Sequence, residues 1–291
     1  MLVRIVSILF PLFAITALGY FVGRRMKPDL SHANKLNMEV FIPALVFAAL
    51  ANKDFRIVEF VPLVVATLVI VIGSGLIGWA LARSSRIAPK TFVPPIMFNN
   101  CGNLGLPLAV LAFGEPALAP AVVMFMVSNL LHFSFGAWLL DHRIKVWTVW
   151  KVPSVLATLA GLAVGIAGIA VWAPLMLAIK MLGDVSIPLM LFALGVRLTD
   201  SNISSIGLGF YGAAARPLVG MMLAYAVMLF IDLPPQQEAL LLVFGALPPA
   251  VLNYIFAERY HQEPQAVASM VLIGNVAAVV FLPIALAIVL P

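Results

Sequence analysis

The sequence predicts an all-α membrane protein of about ten transmembrane helices in two inverted five-helix repeats, with broken fourth and ninth helices crossing at prolines. Three observations predict it. Apolar runs of spanning length follow one another with short polar breaks. The basic residues fall mainly on one side of those runs. A set of proline and asparagine motifs from the first half recurs, in the same order, in the second.

The 291 residues are 63% hydrophobic and 10% charged, with a mean hydropathy of +1.11. A soluble domain carries about 25% charged residues, so the lipid bilayer is the expected solvent. The net charge of +5 points to no nucleic acid, because the basic residues lie singly in short loops where the positive-inside rule already places them. A single cysteine, Cys101, excludes an intramolecular disulfide and a multi-cysteine metal site.

The runs lie near Ile5 to Val22, Asn34 to Leu50, Phe60 to Leu81, Phe92 to Phe113 and Ala117 to Leu140 in the first half. In the second they lie near Pro153 to Val171, Leu175 to Val196, Ala215 to Ile231, Ala239 to Phe256 and Ala266 to Leu290. The first is long and lacks a small-x-small cleavage site, so it reads as a membrane helix rather than a signal peptide. Ile203 to Ala214 reads either as an interfacial helix or as the start of the eighth span. Residues 1–141 form the first repeat, 142–151 a short cytoplasmic linker and 152–291 the second repeat.

Thirteen Lys and Arg residues follow odd-numbered spans, from Arg24 and Arg25 through Lys35, Lys151, Arg197 and Arg216 to Arg259; the opposite side holds four, Arg4, Lys53, Arg56 and Lys180. This places the odd loops in the cytoplasm and both termini on the non-cytoplasmic side of the cell (inner) membrane.

Ile42-Pro43-Ala44-Leu45-Val46-Phe47-Ala48 is echoed by Ile187-Pro188-Leu189-Met190-Leu191-Phe192-Ala193. Leu106-Pro107-Leu108-Ala109-Val110-Leu111 is echoed by Leu247-Pro248-Pro249-Ala250-Val251-Leu252, and Asn129 falls in step with Asn275. Five spans per half make the halves inverted, the architecture of many secondary transporters, whose sites lie at the midplane where broken helices meet.

The stretch Phe98 to Gly114 carries the residues that weaken a helix inside a membrane: Asn99, Asn100, Asn103, Gly102, Gly105 and Pro107. Its counterpart holds Gly245, Pro248, Pro249, Asn253 and Tyr254. Unwound backbone and helix N-termini attract an anion, and Asn supplies donors and acceptors without a buried charge. The substrate-site candidates are therefore Asn99, Asn100, Asn103, Gly105, Pro107, Asn129, Pro248, Pro249 and Asn253. The alternative is that the prolines only kink their helices and the asparagines join neighbouring ones.

Glu39 and Asp184 each precede by four residues a proline that cannot donate to their carbonyls, at Pro43 and Pro188, which makes them candidates for proton or Na+ coupling. Reach to interfacial water is the competing reading of both. His132 shares a helix face with Asn129 and reads first as an interhelical hydrogen-bonding residue. Arg216 reads as snorkelling to the cytoplasmic interface, with a vestibule role as the alternative. No phosphate loop, HExxH or GxSxG motif occurs, and no cofactor, metal or enzyme activity is expected.

Several of these residues carry a family resemblance. Ala246-Leu247-Pro248, Ile255-Phe256-Ala257-Glu258-Arg259-Tyr260 and Leu282-Pro283-Ile284 resemble the C-terminal region of the auxin efflux carrier family. Gly105-Leu106-Pro107-Leu108 resembles its fourth-span motif. Ile42-Pro43-Ala44, Gly183-Asp184 and Ile187-Pro188 resemble its second and seventh spans. The resemblance implies an inverted-repeat carrier related in fold to bile-acid symporters, moving organic acid anions: auxin in plants, malonate-like dicarboxylates in bacteria. By position it implies that Asn100, Asn103, Pro107, Pro248 and Asn253 border the site. Only Asp141 to Lys151 stands where plant members carry a long hydrophilic loop, so the fit is to a bacterial-type member. The function expected is a secondary carrier for a small organic anion working by alternating access, with a non-coupled channel-like or ligand-sensing protein as the alternative; monomer and homodimer are both left open.

Overall fold

The computed structural model describes residues 1–51, 57–199 and 204–290. Lys53, Arg56 and Ile203, used above, lie outside them. The helices are α1 (Leu2–Met26), α2 (Ser31–Leu36), α3 (Ile42–Leu50), α4 (Ile57–Ser84), α5 (Pro89–Met97), α6 (Leu106–Phe113), α7 (Leu118–Leu131), α8 (Ala137–Leu140), α9 (Pro153–Ile166), α10 (Ala173–Asp184), α11 (Ser186–Arg197), α12 (Ile206–Met228), α13 (Pro235–Ala246), α14 (Val251–Arg259) and α15 (Pro264–Val289). Seven helical stretches among the described residues are long and apolar enough to cross a membrane; Cys101–Phe113 and Pro153–Ile166 are shorter apolar helices. Their outward faces carry bare apolar side chains such as Phe10, Phe21, Leu76 and Phe210, the surface that lipid requires.

Seven long helices rather than about ten runs have local causes. The sixth run is helical only to Ile166, because Gly168 turns the chain at φ +63°. The fourth and ninth runs are each interrupted. Ile206–Met228 is one continuous helix, so the segment from Ile206 begins the eighth span rather than forming a separate interfacial helix.

Pro11, Pro62, Pro94, Pro95, Pro217 and Pro283 lie inside continuous helices, whereas Pro248 and the pair Pro43 and Pro107 act in two other ways. Leu247 precedes Pro248 and Pro249, is driven to extended backbone (φ −62°, ψ 143°), and the helix stops at Ala246. Pro43 and Pro107 instead sit at the second position of α3 and α6, each directly after a widened turn, Asn37–Phe41 and Cys101–Gly105. In these π-turns the N–H of the residue before the proline reaches back five residues, Ile42 to Asn37 and Leu106 to Cys101. The widened turn absorbs the missing donor, and the helix continues. The fourth run is thus interrupted at residues 98–100, ahead of Pro107. Asn99 and Asn100 are weak helix formers whose side chains bond elsewhere.

The packing is paired. α1 lies on α11 and α9 on α3; α4 contacts α5 and α7, as α12 contacts α13 and α15; α4 and α12 meet each other. The close contacts match in detail. A Cβ at Gly19 of α1 would collide with the Phe192 carbonyl, and one at Gly161 of α9 would lie 3.2 Å from the Phe47 carbonyl. Phe47 and Phe192 are the equivalent residues of the recurring Ile-Pro motif. Both helices carry Gly-x-x-x-Gly, at Gly19 and Gly23 and at Gly161 and Gly165, so backbone meets backbone where lipid offers no hydrophobic drive.

Replacing Gly195, whose Cβ would overlap the Thr16 carbonyl on α1, should therefore be costly. Gly195→Val is expected to destabilise by about 1–3 kcal/mol or to prevent folding, while Gly207→Ala, with nothing within 4 Å, stays near neutral. Thermal unfolding of both variants in detergent, followed by size-exclusion fluorescence, checks this; equal midpoints would refute the contact.

Candidate functional site

The two interrupted helices meet back to back. Phe98 (φ −107°, ψ 117°) and the residues after Ala246 run extended, and Asn99 pairs with Pro249 in an antiparallel bridge. The Asn100 N–H donates to the Pro248 carbonyl at 2.8 Å, and the Ala250 N–H donates to the Phe98 carbonyl at 3.0 Å. Unwound backbone in a membrane must satisfy itself, and here each break satisfies the other. The bridge makes Phe98, Asn99 and Asn100 the counterparts of Pro248, Pro249 and Ala250. That register differs from the Leu106-Pro107 to Leu247-Pro248 match, which aligns a bulged helix with a true break.

Side-chain amides bolt the crossing. The Asn99 amide Nδ2 donates to the Phe244 carbonyl (2.6 Å) and the Asn253 amide to the Phe98 carbonyl (3.0 Å). The Asn100 amide donates to Asn275 Oδ1 (2.8 Å). Asn275 in turn donates to the carbonyls of Pro249 (3.1 Å) and Val271 (2.8 Å). His132 stacks on Phe98 at 4.0 Å between centroids and meets Phe256 edge-on at 5.0 Å.

A cavity of about 900 Å³ ends on this crossing. Asn99, Asn100, Cys101, Asn103, Ser128, Asn129 and His132 line it on one side, and Asn37, Glu39, Met190, Ala193 and Leu194 on the other. Lys35, Lys151 and Arg197 stand among its lining residues, all on the side that the basic-residue count assigns to the cytoplasm. Two half-helices begin at the cavity: Cys101, Gly102 and Asn103 open one, and Val251 and Leu252 open the other, so both positive helix ends face it.

The predicted residues divide into three groups. Asn103 and Asn129 line the cavity, are partly exposed, and have no side-chain hydrogen bond among the described residues. Asn99 and Asn100 also line it, but their amides are committed to the crossing. Gly105, Pro107, Pro248, Pro249 and Asn253 stand behind the wall. Gly105 packs there because a Cβ would lie 3.0 Å from Leu247, and Pro249 because its ring fills the space beside Gly274. Glu39 lines the cavity, whereas exposed Asp184 does not.

The in-step asparagines are not equivalent in role: Asn129 faces the cavity and Asn275 knits the crossing. Sequence reasoning marked Asn275 only as a repeat position and missed Ser128 altogether; a polar residue one place from Asn129 was the available signal. Arg216 does not snorkel. It is 0% exposed, and its Nη1 donates to the Gly245 carbonyl at 3.4 Å. Gly220 and Gly245 allow the burial, because a Cβ on either would strike the other's backbone, and α12 and α13 close around the guanidinium.

Asn253→Ala leaves the Phe98 carbonyl one donor short in a buried place. It is expected to cost about 1–3 kcal/mol of stability, whereas Asn103→Ala leaves stability within about 0.5 kcal/mol. Thermal unfolding in detergent checks the pair, and the opposite order would overturn this division of roles.

A family model described as "Membrane transport protein" matches the chain twice, over residues 4–144 and 142–286. A protein of Rhizobium meliloti (strain 1021) named "Putative malonate transporter" is 22% identical, with 95% of this chain and 93% of that one covered. An uncharacterized transporter of Methanothermobacter thermautotrophicus is 25% identical over 93% of each chain. The uncharacterized transporter YfdV of Escherichia coli (strain K12) is 25% identical over 90% of each. With the match running almost from end to end, this multi-pass membrane protein belongs to the membrane transport protein family, that of the auxin efflux carriers.

Proposed function

We propose that the protein is a secondary carrier for a small organic anion, of the carboxylate class that includes malonate. It is a carrier of two inverted five-span repeats, residues 1–141 and 152–291 joined by a short linker, and the substrate sits at the crossing of the fourth and ninth spans. The observation that carries this reading is a cavity ending on two half-helix N-termini, with the uncommitted amides of Asn103 and Asn129 beside them. Donors and positive helix ends suit an anion. The paired packing of α1 on α11 with α9 on α3 supports the repeat, as does the twofold match of the family model. The relative named for malonate supports the substrate class.

The cavity lies between two groups of helices. One wall comes from α2, α3 and α11, tied to α1 and α9 through glycine contacts; the other comes from the crossing and α7. Alternating access follows if the second group, bolted by its asparagines, moves as one body against the first. Lys35, Lys151 and Arg197 line the cavity, which favours an inward-facing conformation in the topology read from the basic residues. Glu39, inside the cavity, is the coupling residue retained in this reading. Asp184 lies away from it.

Counterflow of radiolabelled malonate in proteoliposomes tests the site. Asn103→Ala and Asn129→Ala are each expected to lower the rate at least about tenfold with folding unchanged, a loss of about 1.4 kcal/mol of transition-state stabilisation. Wild-type rates in both would remove the substrate from this site. Glu39→Gln is expected to keep counterflow and to abolish accumulation driven by an imposed proton or Na+ gradient. Accumulation at the wild-type level would assign coupling elsewhere, and a wild type unable to accumulate malonate under either gradient would mark a non-coupled protein.

A further inference from the structure

Arg216 is a feature of the crossing that the carrier reading leaves unused. Its guanidinium is wholly buried at mid-length of α12, and Nη1 has a single long hydrogen bond to the Gly245 carbonyl. Nε and Nη2 find no partner, and among the described residues no carboxylate pairs with it. A guanidinium keeps its charge in a protein, and a buried charge without a counter-ion is among the costliest arrangements a fold can hold. Its place explains why it is held. Gly245 adjoins Phe244, whose carbonyl takes the Asn99 amide, and Asn99 lines the cavity. Cys101 follows Asn99 and Asn100 along the same wall. Arg216 is thus joined to the cavity lining through Gly245, Phe244 and Asn99.

We propose that Arg216 is the fixed positive charge that sets the valence of the anion bound at the crossing, acting through the wall formed by Asn99 and Cys101 rather than by touching the ligand. Burial and the absence, among the described residues, of a paired carboxylate leave its field less screened than that of a surface charge. It thereby favours dianions over monoanions and monoanions over neutral analogues of the same shape. The inference rests on the reading of the crossing as an anion site. It adds a determinant that hydrogen-bonding asparagines cannot supply, because an amide discriminates shape and donor pattern but responds weakly to net charge. The competing role for the unpartnered Nε and Nη2 is to position Asn99, whose buried Oδ1 is also without a donor. A positioning role of that kind needs no charge and separates from the proposal by experiment.

The test is calorimetric titration of the purified full chain near neutral pH with three probes of one shape: malonate, its monoamide malonamate, and its diamide malonamide. Wild type, Arg216→Lys, Arg216→Gln and Asn103→Ala are compared, with size exclusion as the folding check. Wild type is expected to bind in the order malonate, malonamate, malonamide. Arg216→Gln is expected to weaken malonate at least about tenfold, equivalent to about 1.4 kcal/mol, and to bring the malonate and malonamate affinities together. Arg216→Lys restores the preference, and Asn103→Ala weakens all three probes alike. A folded Arg216→Gln with the wild-type preference overturns the proposal while leaving the site intact, provided Asn103→Ala still loses binding. If Arg216→Gln does not fold, the wild-type series decides: equal affinity for the three probes overturns the proposal, and the graded order supports it. Failure of wild type to bind any of the three overturns the anion-site reading together with the inference built on it.

Discussion

Backbone polar groups in a bilayer have no water to fall back on, and the architecture depends on how this chain meets that constraint at two places. Residues 98–100 and 247–250 leave the helical ladder, and each supplies the donors and acceptors that the other lacks. Neither break is viable alone. Asn99, Asn253 and Asn275 add bonds to carbonyls freed near the interruptions, and Asn100 closes the network through Asn275. The result is unwound backbone held at one point, which lets half-helices begin at a cavity wall and present their positive ends to the cavity.

The same economy governs the rest of the packing. Helices in lipid gain little from hiding apolar surface from one another, so close approach of small residues does the work. Glycines bring α1 against α11 and α9 against α3, and a second pair, Gly220 and Gly245, brings α12 against α13. That last contact has an electrostatic by-product, because it seals a guanidinium away from water. A residue that in isolation belongs at a membrane surface becomes an interior charge because two helices can touch.

The helical class, the positions of the uninterrupted spans and the two-part repeat were legible in the sequence because they rest on local signals: run length, basic-residue bias and recurring motifs. The Ile-Pro echo of the second and seventh spans was legible to the residue, with Phe47 and Phe192 in matching contacts. The Leu-Pro echo misled. Pro107 follows a π-turn and its helix continues, whereas the helix stops ahead of Pro248 and Pro249; Pro94 and Pro95 are also successive yet lie within α5, so the motif alone does not tell the cases apart. The asparagines were legible as important and not as to role. Whether an amide faces a cavity, like that of Asn103, or a distant carbonyl, like that of Asn253, depends on partners far away in sequence. Arg216 was misplaced for the same reason, its depth being set by the Gly220–Gly245 contact.

The bridge between Asn99 and Pro249 also imposes an order on events at birth. Its partners are 150 residues apart, with the whole of the fifth, sixth, seventh and eighth spans between them. At a synthesis rate of roughly 5–20 residues per second, the first break exists for on the order of ten seconds before its complement has been made. Through that interval the Phe98 carbonyl and the amides of Asn99 and Asn100 have no native partner. The nascent fourth span must therefore wait where protein or water satisfies its backbone, and the crossing is completed only after the ninth span has been made.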